Sequence, residues 1–173
     1  MAKKSKKNSS MKLLGVCCEL VLAIVALILL FATSSVVYTY KGALTGTTVT
    51  KVSGTVGMFG GTDAKYAMPW AVMTSFILLA CAIVILVLLF CLSLAKKKFA
   101  LAGICKFVAA GLLIVAGVLL FFEVSAWTAV NGNASFAIGT YASGSYSLGA
   151  GWLIAGIVSI VAGGLSCAEA FLF

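Results

Sequence analysis

Apolar residues run almost unbroken over four stretches of the chain, at roughly 13–32, 70–94, 99–122 and 148–173. Crossing a hydrocarbon core about 30 Å thick takes about 20 apolar residues in a helix. Each stretch meets that length, and the second carries no charged residue. Two ends are sharp, at Lys12 and at Lys96-Lys97-Lys98, whereas the others fade into Gly, Ser and Thr. The pattern predicts an all-α membrane protein of four transmembrane helices. Between them lie outer loops at 33–69 and 123–147 and a tight turn at 95–98.

The two long polar intervals differ in texture. The first, "TSSVVYTYKGALTGTTVTKVSGTVGMFGGTDAKYAMP", alternates β-branched and aromatic runs with glycine. "SSVVYTY", "TTVTKVSG" and "TVGMF" have strand composition, so a small antiparallel sheet of three or more strands is expected from this loop. Gly42, Gly46, Gly54, Gly57 and the Gly60-Gly61 pair mark its turns or bulges. So small a sheet must pack on the helix ends to be stable. Pro69 opens the second helix, as proline does at a first helical position. The second interval starts "EVSAWTAVNGNASF". There Trp127 reads as an interface anchor, with Thr128 onward leaving lipid and Glu123 solvated at the boundary. Trp70 and Trp152 read as anchors too, because amphipathic rings favour the headgroup zone. Asn133-Ala134-Ser135 is a candidate N-glycosylation acceptor.

Composition narrows the class. Of 173 residues, 63% are hydrophobic and 9% charged. A soluble domain of this size cannot hide that much apolar surface, so lipid is one of its solvents. The net charge of +8 rests on 12 Lys with no Arg and no His. That is an orientation signal rather than a nucleic-acid footprint. Lys3, Lys4, Lys6, Lys7 and Lys12 precede the first stretch, and Lys96–Lys98 separate the second from the third. The two outer loops together hold only Lys41, Lys51 and Lys65. Lysine concentrates on the cytoplasmic side, so both termini and the 95–98 turn are expected inside a plasma membrane. Residues 1–10, "MAKKSKKNSS", read as a disordered basic tail. A first apolar stretch of this length exceeds a usual signal core, so its retention is expected. Cys17, Cys18, Cys81, Cys91, Cys105 and Cys167 all fall inside the spans, which leaves no disulfide for the outer loops. They read as small packing residues rather than as acylation or soft-metal sites.

Two features carry candidate chemistry. Gly151, Ala155, Ser159, Gly163 and Cys167 recur in steps of four on the last helix, a face that lets helices approach closely in lipid. Glu19, Lys106 and Glu169 lie at similar inner depth on three different spans. An isolated charge there costs about 2.5–3.5 kcal/mol or more, so a Glu19–Lys106 pair joined by Glu169 is expected. Without histidine there is no hydrolytic triad or zinc motif, and no phosphate-binding glycine loop is present. The chain is expected to be no enzyme and to use no cofactor or metal.

"KKFALAGICKFVAAGLLIVAGVLLFFEVSAWTA" resembles the claudin third span, with Val124-Ser125-Ala126-Trp127-Thr128-Ala129 at the place of that family's Val-Ser-Trp-Thr-Ala. The last span is similar to the claudin fourth through Tyr146, Leu148, Gly149, Ala150, Gly151, Trp152, Gly163, Gly164 and Cys167. The likeness covers roughly the last 75 residues. A long first loop, a short second loop and inside termini also agree with the claudin and peripheral-myelin-protein group. The resemblance implies a left-handed four-helix bundle under an outer β-sheet, with lateral self-association. Two departures stand out. Gly57–Gly61 reads "GMFGG" where that family has Gly-Leu-Trp followed by two cysteines, so its pore residues cannot be carried over. Its long scaffold-binding tail has no counterpart before Phe173.

The leading expectation is therefore a structural membrane protein that contacts further copies through its outer loops, within or between membranes. Its partners are the bilayer and a second copy, with another membrane protein as a further option and no nucleic acid. The alternative is a small transporter, channel or auxiliary channel subunit using Glu19, Lys106 and Glu169. A small bacterial envelope protein without adhesion also fits an all-lysine, disulfide-free chain.

Overall fold

The computed structural model describes residues 2–60, 67–95, 101–138 and 141–172. Helix α1 (Ala2–Ala32) leads into strands β1 (Ser34–Gly42) and β2 (Gly46–Ser53), then a short helix α2 (Gly54–Phe59). Helices α3 (Trp70–Leu94), α4 (Ala102–Phe121) and α5 (Glu123–Asn131) follow. Strands β3 (Phe136–Ile138) and β4 (Ala142–Leu148) then lead into helix α6 (Ala150–Leu172). Four of these helices are long and apolar enough to cross a membrane: Leu13–Ala32 within α1, all of α3, all of α4, and Ala150–Phe171 within α6.

The long helices form a ring in which α1 touches α3 and α6, and α4 touches α3 and α6. Alternating chain direction makes every neighbouring pair antiparallel, with the sheet at one end. Ala23, Ala26, Leu30, Leu79, Leu86, Leu113, Ala116, Ala155 and Ala162 are fully or almost fully buried in the centre. Only 22–39% of each candidate span is buried, and each helix keeps an exposed apolar face, with Ile28, Val84, Ile104 and Ile154 among the residues on these faces. Helices suit such surroundings because each backbone N–H is bonded within its own segment.

Four departures from the sequence reading have physical causes. Residues 2–10, expected to be a disordered tail, continue the helix of α1. They contain no Pro or Gly, five of the nine are Ala or Lys, and extending a formed helix avoids the cost of a new nucleus. "TVGMF" is not a strand but most of α2. Ser53 caps it by accepting from Val56 N–H, and Gly60, at φ 80°, ends it. Pro69 stands at the N-cap of α3 rather than inside its first turn. The last helix begins at Ala150, because Leu148 pairs with Val36 in the sheet and Gly149 N–H bonds Ser35 O at 2.8 Å. Lys96–Lys98 lie outside the described residues.

The sheet has the order β2-β1-β4-β3, antiparallel throughout. It thus draws two strands from each outer loop, not three from the first alone. The β1–β2 hairpin closes through Gly46 at φ 76°, the left-handed position such a three-residue loop requires. A register break between Ser34 and Val37 interrupts the β1–β2 ladder.

Candidate functional site

At the end of the bundle away from the sheet, Lys106 reaches across from α4. Its Nζ bonds Glu169 of α6 and lies 3.5 Å from Glu19 of α1. The three charges expected to meet do so, with Glu169 rather than Glu19 as the closer partner. Glu19 is fully buried, and neither of its oxygens has a hydrogen-bond partner. Gly15 makes the arrangement fit, because any side chain there would overlap the Glu169 carboxylate. Ser166 Oγ bonds Lys106 O at 3.4 Å. The sequence signalled the ionisable residues by charge; nothing in it distinguished Gly15. A cavity of about 150 Å³, lined in part by Val16, Ser93, Gly103, Lys106 and Glu169, opens beside the set.

The small-residue stripe is used inside the chain. Gly151 packs on Thr33 at the end of α1, and Ala155 is fully buried. Ser159 Oγ bonds Leu113 O of α4 at 2.8 Å, and Gly163 lies against Ala110 and Ile114 of α4. Cys167 is half-buried and, like the other five cysteines, free. The sequence reading missed the other side of this contact, Gly117 of α4, which faces Gly156 and Ile160 of α6.

Of the three expected anchors, only Trp70 is exposed, at 67%. Trp127 and Trp152 are buried, which corrects their reading as interface anchors. Trp152 Nε1 donates to Leu30 O at 3.0 Å, so the ring bolts α6 to the end of α1. Trp127 is covered because the helix does not stop where hydrophobicity does. After an irregular turn at Phe122, α5 carries the chain onward and supports β1 and β4. Asn131 fastens this segment by accepting from Ala67 N–H at 2.6 Å and donating to Ala67 O at 3.0 Å. Asn133 is exposed just beyond, where its Oδ1 accepts from Ser135 N–H.

Glu123 gives the largest correction. Expected to be solvated, it is fully buried beneath the sheet, and neither carboxyl oxygen has a hydrogen-bond partner. Burial alone pushes its carboxyl from 4.5 up to about 8. No described residue of α2, α3, α5 or β4 offers another charge, and Lys41 of β1 and Lys51 of β2 are exposed. Between these two values the folded chain keeps a proton that the unfolded chain has released, so stability falls as pH rises through the interval. In sodium-free buffer the melting midpoint of the detergent-purified protein should drop by about 5–10 °C from pH 5 to pH 8 and then level off. Glu123→Gln should flatten the curve. Parallel pH curves for the two proteins would refute this assignment.

No protein-family model matches the chain, and no curated protein matches it significantly.

Proposed function

We propose that the chain is a non-enzymatic, claudin-like structural protein of the plasma membrane that associates with further copies through its outer sheet. It spans the bilayer four times as a left-handed bundle, with both termini on the cytoplasmic side. One observation carries the association. β2 is an outermost strand, and every one of its residues except Val52 is exposed. Its free backbone edge is a template for another strand, and Val49 presents apolar surface there. Gly151, Ala155, Ser159 and Gly163 are occupied within the chain, so the small-residue stripe is not the contact and the outer sheet is the surface we assign to it. Lysine placement supports the orientation.

Val49→Cys tests the edge directly, because none of the six native cysteines lies in an outer loop. A short membrane-impermeant bis-maleimide should join V49C copies into dimers and leave the parent chain monomeric. Two differently tagged populations of adherent cells lacking junction proteins then separate contact across the gap from contact within one membrane. If V49C yields no more dimer than Tyr141→Cys, at an exposed position outside β2, the edge is not the contact.

The cavity beside Lys106 and Glu169 favours a second reading, a small transporter or an auxiliary subunit for another membrane protein. Above the charged set the core is closed by Leu86, Leu113, Leu79 and Leu120. Unaltered flux after Glu19→Gln, Lys106→Met and Glu169→Gln together would end that reading.

A further inference from the structure

Three features of the outer cap converge on one point. The register break in β1 takes Ser35 off the ladder, a place where bulges often re-aim a side chain. Ser35 is fully buried, yet its hydroxyl lies 3.5 Å from both Val52 O and Ser53 O. A good bond of this kind is about 2.7–2.8 Å. Gly57 of α2 lets the Ser35 side chain pack where a Cβ would stand, and Glu123 Oε1 lies 3.6 Å from that same point, so the hydroxyl and the carboxylate are neighbours across Gly57. A carboxylate and two carbonyl oxygens thus lie around the Ser35 hydroxyl, and neither carboxylate oxygen accepts a hydrogen bond. No ammonium of the described residues pairs with Glu123. A buried carboxyl with no donor either keeps its proton or, once ionised, needs a counter-charge or a metal ion.

We propose that Glu123, Ser35 Oγ and the carbonyl oxygens of Val52 and Ser53 form a site for a small monovalent cation on the outer side of the bundle. The donor set is all oxygen, which suits a hard ion. A single carboxylate balances a single positive charge, whereas calcium collects about six to eight oxygens and usually several carboxylates. Bound there, the ion links β1, β2 and α5, and so fastens the first outer loop to the helices. A proton competes with it for the same carboxylate.

Sodium is the probe, with the full-length protein in nanodiscs at pH 9 and N-methylglucamine holding ionic strength constant. Radioactive sodium should bind saturably at one ion per chain and raise the melting midpoint. Affinity should fall about ten-fold or more in Glu123→Gln and in Ser35→Ala, and stay unchanged in Glu19→Gln. Ser35→Ala keeps the carboxylate, so it remains informative if Glu123→Gln does not fold. Absence of saturable binding would overturn the proposal, as would equal binding by E123Q or S35A, or loss of binding in E19Q. A midpoint that follows pH but ignores sodium would assign the position to a proton and overturn it equally.

Discussion

Lys106→Met should be the most damaging single substitution among the charged residues, and adding Glu19→Gln and Glu169→Gln to it should restore most of what it loses. Lys106 is the only cation near the two carboxylates among the described residues, and it contacts both. Removing one partner of a buried ion pair costs about 3–5 kcal/mol, because the other charge is left without compensation. The triple variant has no charge to compensate and keeps similar side-chain volumes, and such replacements are often neutral or stabilising. Buried Trp127 and Trp152 supply the readout, since their fluorescence should shift when the bundle opens. Stability of K106M equal to that of the parent would show that the carboxylates do not depend on Lys106. A triple variant no better than K106M would show that the loss comes from packing of the lysine stem.

The second large effect separates two adjacent glycines. A Cβ on Gly163 would stand 2.7 Å from Ile114 Cγ1 and 2.9 Å from Ala110 O, whereas one on Gly164 would meet nothing within 4 Å. Backbone oxygen cannot rotate away, so Gly163→Leu must push α6 off α4 along their whole contact. Forced overpacking typically costs about 1–3 kcal/mol for a few added methylenes, and a leucine here belongs at or above the upper end. Gly164→Leu adds a side chain to an open face and gains about 1 kcal/mol of helix propensity. The expected result is a fall in melting midpoint of about 6 °C or more for G163L and none for G164L. If G163L instead left the midpoint unchanged and altered only the oligomer size, the stripe would be an interface between copies.

Strength of local signal decided what the sequence could reveal. Uninterrupted apolar runs located the membrane-length segment Leu13–Ala32 of α1 and helices α3, α4 and α6 to within a few residues, although not the extension of α1 back to Ala2, because lipid-length helices need no tertiary information to be recognised. Charge identity was enough to bring Glu19, Lys106 and Glu169 together, since three costly groups at one depth have few alternatives to one another. Position relative to neighbours was not legible. Trp127 and Glu123 stand where hydropathy falls, and hydropathy cannot tell a helix entering water from one passing under a sheet. "TVGMF" was ambiguous for the same reason: five residues carry too little periodicity to separate strand from helix, and Ser53 as a cap decided it. Gly15 and Gly117 matter only through atoms far away in the chain.

The pairing of β1 with β4 also bears on how the protein is made. Ser147 Oγ bonds Val37 O across 110 residues, and the strand that completes β1 is among the last parts of the chain to be synthesised. Until then the β1–β2 hairpin has one side of β1 open. Contacts so distant in sequence form late, and unpaired strands are the hazard of that interval. Biogenesis therefore has a waiting period that ends only when β4 is delivered, so a nascent chain arrested before Ala142 should have a β1–β2 hairpin open to added protease that the finished chain protects.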